Sequence, residues 1–164
     1  MKNHWVNVDK VEFEVDRDGT KSWSKNGMVH REDGPAVEHF NGTKSWIQNG
    51  EYHRLDGPAM EFASGRKVWL MHGKYHNLEG PAIITQDGHK EWWLDGSRHR
   101  GNGPAIERTN GRNEWFIDGK RHRLDGPAVE QLDGHKEWWV EGVLQCVKYA
   151  KGNVVPLDEI LKNN

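Results

Sequence analysis

The chain has 164 residues, enough for one domain, and its formal net charge of −2 lacks the strongly basic balance of a dedicated nucleic-acid-binding protein. Nine tryptophans supply much of the apolar area although only 34% of the residues are hydrophobic, so we expect an ordered protein with a shallow core. The single cysteine excludes an internal disulfide, and no apolar run is long enough for a membrane span. We therefore expect a cytoplasmic protein without a signal peptide or a transmembrane segment.

The chain begins with a predicted strand and continues as a regular repeat. Residues 11–15 alternate apolar and acidic side chains, which is typical of a strand. Tryptophan, histidine, Gly-Pro-Ala and two series of glycines then recur every 23 residues without insertion. A fixed period of this size predicts a repeat protein in which each unit packs mainly on its neighbours. The recurring tryptophans are Trp23, Trp46, Trp69, Trp92, Trp115 and Trp138, and the recurring histidines are His30, His53, His76, His99 and His122.

Two glycine-containing turns are repeated in every unit. Asn41-Gly42 and Asn49-Gly50 show the pattern, and Asp-Gly replaces Asn-Gly in several other units. Both dipeptides favour two-residue hairpin turns, because the two positions of such a turn require positive φ. We therefore predict an all-β fold, an elongated single-layer antiparallel meander of five to six 23-residue β-hairpin repeats in a single domain. The predicted boundaries are 1–22 for the N-terminal strands, 23–142 for the repeats and 143–164 for a C-terminal cap.

The last unit loses the repeat pattern after Gly142, since Gln145 stands where histidine is expected. A cap is expected at the end of a repeat array, because an open sheet edge would otherwise pair with another chain. Pro156 followed by Asp158 suits the first turn of a helix, so we predict a short helix over 156–162 within the cap.

A two-residue turn also fixes which side chains lie opposite each other on paired strands. Around the second turn of each unit, it predicts that tryptophan lies opposite histidine. Around the first turn, it predicts like-charged pairs, which are unfavourable unless a basic group relieves them. The predicted acid–base or polar pairs are Ser45–Arg54, Glu91–Arg100 and Glu114–Arg123, the like-charged pairs are Glu107–Glu114 and Glu130–Glu137, and Val37 is predicted opposite Trp46.

The pattern Asp18-Gly19, Trp23, Asn26-Gly27 and its five successors resembles the MORN repeat (membrane occupation and recognition nexus) over residues 13–142. The chain departs from that repeat where Asp-Gly-Pro-Ala replaces the usual G-x-G. Units with H-R-x-D-G-P-A look like a variant class found in phage and bacterial proteins. The resemblance implies an elongated sheet that serves mainly in protein–protein contacts.

The histidines and aspartates recur in most units, whereas a catalytic site is normally built once. We therefore expect a non-enzymatic protein with no cofactor and no metal, in which each histidine bonds the Asp-Gly-Pro bend through a ring nitrogen. Two alternatives stay open. One is nucleotide or nucleic-acid binding through a ladder of tryptophan, histidine and the arginines. The other is a metal-dependent hydrolase that uses the repeated histidine and aspartate.

The position directly after each recurring tryptophan varies, and it becomes aromatic toward the C-terminus. It points to the opposite face of its strand, where a single-layer sheet has no second layer to cover it. Packing of the array does not require aromatic residues there, because earlier units carry Ser24, Ile47 and Leu70. We therefore predict a phage or bacterial adaptor or inhibitor that binds a protein partner through this face. The predicted partner-binding residues are Trp93, Phe116, Trp139, Arg100, Arg123, Glu114 and Glu137.

Overall fold

The computed structural model describes residues 11–150, 152 and 154–162, which form antiparallel strands and one short helix. The all-β meander of hairpins predicted from the sequence is confirmed. The chain divides into two compact units, Met1–Lys74 and Tyr75–Asn164. Within the described residues, no helix has the length and apolar character needed to cross a membrane.

The first unit is a meander of strands that are mostly two residues long. Its strands are β1 (Val11–Val15), β2 (Lys21–Lys25), β3 (Met28–Val29), β4 (Val37–Glu38), β5 (Lys44–Ser45), β6 (Ile47–Gln48), β7 (Glu51–Tyr52), β8 (Met60–Glu61), β9 (Lys67–Val68) and β10 (Leu70–Met71), and β11 (Lys74–Tyr75) spans the division. Strands β1, β2, β4, β5, β8 and β9 pair in that order as a main sheet. Strand β3 pairs with β2, and β6 and β7 form a separate hairpin.

The second unit repeats this plan and ends in the cap. Its elements are β12 (Ile83–Ile84), β13 (Lys90–Glu91), β14 (Trp93–Leu94), β15 (Ser97–Arg98), β16 (Ile106–Glu107), β17 (Asn113–Glu114), β18 (Phe116–Ile117), β19 (Lys120–Arg121), β20 (Val129–Glu130), β21 (Lys136–Val140), β22 (Val143–Lys148), β23 (Val154–Pro156) and the helix α1 (Leu157–Lys162). The main sheet runs β12, β13, β16, β17, β20, β21, β22, β23, while β14–β15 and β18–β19 are hairpins. The short C-terminal helix is therefore confirmed.

The turns that close the hairpins are the two-residue turns predicted from the sequence. Asn49 has φ 52° and Gly50 has φ 81°, and both positions are also left-handed in the other repeats. The left-handed region favours Asn, Asp and Gly over other residues. His72 (φ 49°) and Glu141 (φ 51°) also adopt it, and of the two glutamate is the residue type that tolerates it less well.

The turns between strands of the main sheet have a different geometry, and their predicted register is wrong. His39 N donates to Thr43 O at 2.9 Å, which leaves a loop of three residues rather than two. Only Gly42 is left-handed in this loop, as expected for a type I turn followed by a glycine bulge. The register therefore moves by one residue, and Val37 lies opposite Ser45 instead of Trp46.

The same shift removes the like-charged pairs that the sequence predicted. Glu107 lies opposite Asn113 rather than Glu114. Glu130 lies opposite Lys136, which carries the opposite charge, rather than Glu137. No basic partner is needed to relieve repulsion at these positions.

Four recurring tryptophans, Trp46, Trp69, Trp92 and Trp115, lie at junctions where the chain passes from the main sheet into a hairpin, whereas Trp23 and Trp138 lie within the continuous strands β2 and β21. His99 N donates to Trp92 O at 3.1 Å, which confirms the predicted opposition of tryptophan and histidine. Beyond this pair the strands separate, because Arg100 N donates to Phe116 O of the next hairpin at 3.1 Å. The predicted pairs Glu91–Arg100 and Glu114–Arg123 are therefore wrong. In the first unit Arg54 N likewise donates to Leu70 O, at 3.3 Å, so the pair Ser45–Arg54 is also wrong.

The core is a line of small and β-branched residues beside these junctions. In the second unit Ala105 and Ile106 are fully buried and pack with Phe116, and Trp92 packs against the cluster. The backbone carbonyl of Ala105 accepts the Trp92 N–H at 2.8 Å, so the alanine lies against the junction backbone. The buried alanines of Gly-Pro-Ala are Ala36, Ala59, Ala82, Ala105 and Ala128, all with no exposed area.

We expect Glu141→Asn to raise the free energy of unfolding by about 1 kcal/mol, because asparagine tolerates the left-handed conformation better than glutamate. The side-chain oxygen of asparagine can still meet the histidine of the preceding repeat, as Asn49 meets His30 at 3.0 Å. The reverse change Asp118→Glu should lower stability by a similar amount. Urea unfolding of both variants checks this, and equal stabilities for all three proteins would contradict it.

Candidate partner-binding surface

An arginine guanidinium lies over the indole of the recurring tryptophan in four repeats. The distance from the guanidinium carbon to the ring centroid is within the range of a cation–π contact in each. These distances are 4.1 Å for Arg31 over Trp23, 4.0 Å for Arg54 over Trp46, 3.7 Å for Arg100 over Trp92 and 4.2 Å for Arg123 over Trp115.

The other side of each guanidinium lies against the Asp-Gly-Pro bend. A Cβ atom on Gly126 would lie 2.9 Å from the guanidinium carbon of Arg123, so any larger residue would force the guanidinium to move. Arg123 also donates from Nη1 to Pro127 O at 3.1 Å. This glycine is required by close approach of a side chain, not by positive φ. The arginine is held between an indole face and a backbone bend.

The third bend shows what happens without the arginine. Asn77 stands at the arginine position and donates from Nδ2 to Pro81 O at 3.0 Å. A Cβ atom on Gly80 would meet the Asn77 amide only at 3.7 Å, an ordinary contact. The bond to the proline carbonyl is therefore kept, while the tight approach to the glycine is lost.

In the three bends that contain an aspartate, it binds the arginine and not the histidine that precedes the aspartate by three residues. Arg31 Nε donates to Asp33 Oδ1 at 2.8 Å, and the same bond is 2.9 Å at Asp56 and at Asp125. Hydrogen bonding and the positive charge of the arginine lower the pKa of all three carboxyl groups. Among the described residues, no three His, Cys, Asp or Glu side chains converge as metal ligands.

The Nδ1 atoms of the recurring histidines contact the hairpin turn of the following repeat, so the prediction that these histidines bond the Asp-Gly-Pro bend is wrong. His30 Nε2 also lies 3.3 Å from Glu32 Oε1, at the tip of the first bend. Asn49 N donates to His30 Nδ1 at 3.0 Å, and His99 Nδ1 lies 2.8 Å from the carboxylate oxygen Oδ1 of Asp118. His53 is buried, and burial, followed by the charge of nearby His72, lowers its pKa. The histidines therefore join successive hairpins.

A second stack runs through the hairpins of the second unit. The Arg98 guanidinium carbon lies 4.8 Å from the Trp93 ring centroid and 5.7 Å from that of Phe116. Arg121 lies 5.7 Å from Phe116 and 5.2 Å from Trp139. Aromatic rings and guanidinium groups therefore alternate along this row.

Two carboxylates, the buried Glu114 and the partly buried Glu91, hold the two arginines of this stack. Glu114, only 3% exposed, accepts from Arg121 Nη2 at 2.8 Å and from Arg112 Nε at 3.0 Å. Glu91 accepts from Arg98 Nε at 3.1 Å and from the Trp93 indole at 3.0 Å. Burial alone would raise the pKa of Glu114, but the hydrogen bonds from the arginines outweigh it and hold that pKa below its ordinary value.

The predicted binding residues separate into two groups. Trp93, Phe116, Trp139, Glu114 and Glu137 belong to the hairpin stack, where Glu137 accepts from the Trp139 indole at 2.7 Å. The side chains of the other two predicted residues, Arg100 and Arg123, instead contact the recurring tryptophans and the bends. Phe116 is buried, and the two tryptophans are half-buried, so the aromatic row is not fully exposed. The arginines of the stack were missed, although a two-residue turn places Arg98 opposite Trp93 and Arg121 opposite Phe116.

The tips of the bends carry leucines that the sequence analysis did not select. Leu55, Leu78 and Leu124 occupy the same repeat position, between the arginine or asparagine and the acidic residue. Their side chains are 81%, 79% and 80% exposed. Gly101 takes this position in the fourth bend, where no described residue other than its two chain neighbours has an atom within 4 Å of a Cβ built on it.

Comparison with known proteins assigns no family. No protein-family model matches the sequence, and the search of curated proteins gives no match. The likeness to MORN repeats stays a prediction based on the repeat pattern. The interpretation of these surfaces therefore depends on their geometry and chemistry.

We expect Gly126→Ala to lower the free energy of unfolding by about 1–2 kcal/mol, since its methyl group displaces Arg123 from the Trp115 face. Gly80→Ala should be neutral or stabilising by up to about 1 kcal/mol, because alanine restricts the unfolded chain and meets no guanidinium. Combining Gly126→Ala with Arg123→Ala should abolish the extra cost of the methyl group. Urea unfolding measures all three, and equal losses for the two glycine changes would contradict the contact.

We expect Glu114→Gln to lower the free energy of unfolding at pH 7 by about 1–3 kcal/mol, as it leaves two arginines without a charged acceptor. Because the folded-state pKa of Glu114 lies below its ordinary value of 4.5, the stability it contributes is complete above that value. That contribution is lost as the pH falls through the lower folded-state pKa. The variant should therefore lose less stability on acidification than the parent. Exposed Glu79→Gln is the control, and an unchanged pH profile of Glu114→Gln would contradict the assignment.

Proposed function

We propose that this protein is a non-enzymatic binding protein that engages a protein partner through the bends of its repeats. The exposure of Leu55, Leu78 and Leu124 at one repeat position, 79–81% for each, carries the proposal. A single exposed leucine is ordinary on a protein surface. Recurrence at the tip of an ordered bend is not, and apolar side chains without a packing role are typical of partner contacts.

The construction of the bends supports a role in binding. Beneath each of Leu55 and Leu124, an arginine is fixed by an indole, a proline carbonyl and an aspartate. A tip on such a base is ordered before a partner arrives. Binding to it therefore costs less conformational entropy than ordering a flexible loop would.

The same contacts make the nucleic-acid alternative less favourable. A stacking platform for bases needs a free aromatic face, but guanidinium groups cover one face of Trp46, Trp92 and Trp115. The exposed charges at the bends are carboxylates, such as Asp56 and Asp125, whose side chains are 85% exposed. Carboxylates repel phosphate, so a protein partner fits this surface better.

The hydrolase alternative loses the pairing on which it depended. The recurring histidines bond hairpin turns and the aspartates of the bends bond arginines, so a histidine does not pair with the aspartate three residues later. The repeat pattern and the meander of hairpins support the proposal that the protein is a MORN-like repeat protein. We also propose that it acts in the cytoplasm as a phage or bacterial adaptor or inhibitor, which its single cysteine supports.

Affinity capture from cells of the source organism, followed by mass spectrometry, tests the proposal. We expect the double variant Leu78→Ser and Leu124→Ser to fold and to lose the partner captured by the parent. Leu132→Ser is the matched control, because this leucine is 83% exposed but lies in a loop of the main sheet. Thermal melting establishes that each variant is folded.

Two outcomes would contradict this choice of surface. The double leucine variant could capture the partner as well as the parent does. Alternatively, a folded Trp93→Ser and Trp139→Ser variant could lose the partner while the leucine variant keeps it. The second result would return the binding site to the aromatic row predicted from the sequence.

A further inference from the structure

We propose that the bends of the second unit bind a cationic segment of the partner, with one apolar side chain of that segment seated in a notch above Gly101. This inference rests on the proposed function and names the chemistry of the partner. The bends concerned are 77–80, 100–103 and 123–126, which we call the bend row. Gly101 is the tip of the middle bend, and Leu78 and Leu124 are the tips on either side.

The notch exists because one tip of the bend row has no side chain. Apart from Gly101 and its two chain neighbours, no described residue has an atom within 4 Å of the place where a Cβ of Gly101 would be. One groove, lined by Leu78 and Trp92, extends to Gly101 from one side, and a second, lined by Trp115 and Leu124, extends from the other. Gly101 lines both grooves, so they meet above it. A leucine at this tip, as in the neighbouring bends, would separate them.

The walls of this trough suit an apolar side chain. Edges of Trp92 and Trp115 contribute apolar surface on the two sides, together with Ile117. The leucine tips stand at the outer ends and are 79% and 80% exposed. Covering them would remove apolar area from water at about 25 cal/mol per Å². A partner that reaches both tips and fills the notch would bury all of these groups together.

The charge of the bend row selects a basic partner. Asp125 is 85% exposed although its Oδ1 accepts from Arg123 Nε at 2.9 Å, and Glu79 also faces solvent. The arginines beneath are only 24% and 23% exposed at Arg100 and Arg123, and their charges are directed to carboxylates. Arg100 pairs with Glu107 at 2.7 Å, for example. The charges that an approaching partner meets first are therefore negative, and lysine or arginine complements them.

The size of the site suits a short segment. Two strands about 4.8 Å apart in each repeat give an advance of roughly 10 Å, so the two leucine tips lie roughly 20 Å apart. An extended chain covers that distance with about six residues. Basic residues flanking a central apolar residue would then meet the acids near the tips, with the apolar residue above Gly101.

The test is a fluorescence-anisotropy titration of the full chain with a labelled nine-residue peptide of alternating lysine and leucine. A peptide of alternating glutamate and leucine is the charge control. We expect the lysine peptide alone to bind, and Gly101→Leu to weaken its binding at least tenfold. Gly101 does not have positive φ, and leucine already occupies two neighbouring tips, so this variant should fold. Gly101→Ala, a smaller obstruction, should weaken binding less.

A matched pair of charge changes separates the notch from general attraction between charges. Asp125→Asn should weaken peptide binding about threefold or more, and Asn102 shows that asparagine fits this bend position. Asp118→Asn removes the same charge from a side chain that is 80% exposed in a hairpin turn, and it should leave binding unchanged. Equal effects of the two changes would overturn the inference.

Other results would overturn it as well. Parent-like binding by folded Gly101→Leu would mean that no side chain enters the notch. Stronger binding of the glutamate peptide would mean that the charge of the partner is misassigned. Either result leaves the proposed function standing if the leucine double variant still loses the captured partner, so the two failures are distinguishable.

Discussion

The arginine held between an indole and a glycine-containing bend is the contact on which four of the five bends depend. Arg54 shows its full set of partners: the face of Trp46 at 4.0 Å, the Asp56 carboxylate at 2.9 Å, and Pro58 O and Glu61 at 3.3 Å. Glu61 lies on the strand that starts the next repeat, so one side chain joins the junction, the bend and the following strand. The motif R-x-D-G-P follows from these contacts: aspartate is an acceptor, glycine leaves room, and proline supplies a carbonyl while needing no ladder bond.

The junction at the tryptophan separates the strands of the main sheet from the hairpins, so the hairpins of the two units can carry different chemistry. In the hairpin row of the first unit, Ile47 lies opposite Tyr52, and the preceding Ser45 is buried with no hydrogen-bond partner for its hydroxyl among the described atoms. In the second unit, Phe116 lies opposite Arg121, whose guanidinium is bonded to buried Glu114. An unpartnered buried hydroxyl costs free energy, whereas a fully bonded carboxylate with two arginines stabilises one geometry. Only the arrangement of the second unit needs charged residues at fixed positions. The residues at these positions differ between the two units, whereas the tryptophan at the junction is the same in both.

The sequence was sufficient for features that depend on local backbone conformation. The hairpin turn at Asn49-Gly50 was predicted because both positions are left-handed. The turn at Asn41-Gly42 was misassigned, since the same dipeptide also closes a three-residue loop in which glycine alone is left-handed. The spacing of the turns along the sequence does not distinguish the two-residue turn from the three-residue loop. The predicted arginine partners failed for a longer-range reason. The prediction continued the strand pairing past the tryptophan, as if the hairpin strand and the main-sheet strand were one. The end of that pairing can be recognised only from the contact of the arginine guanidinium with the indole and the glycine of the bend. The leucine tips were passed over because their repeat position also holds Glu32 and Gly101, and the pattern does not show that the three leucines there are exposed.

In each bend, the residues that hold the backbone in place are different from the exposed residue at the tip. This separation explains how such a repeat could contact a partner without losing stability. The arginine, the tryptophan and the glycine beneath each tip are nearly the same in four bends, and they hold the backbone in place. The tip itself is Glu32, Leu55, Leu78, Gly101 or Leu124, which differ in size, charge and polarity. Because the leucine tips are about 80% exposed, exchanging one removes little buried area and changes stability little. The residue types at the tips therefore set what the surface can recognise, and the contacts beneath them set where each tip is presented.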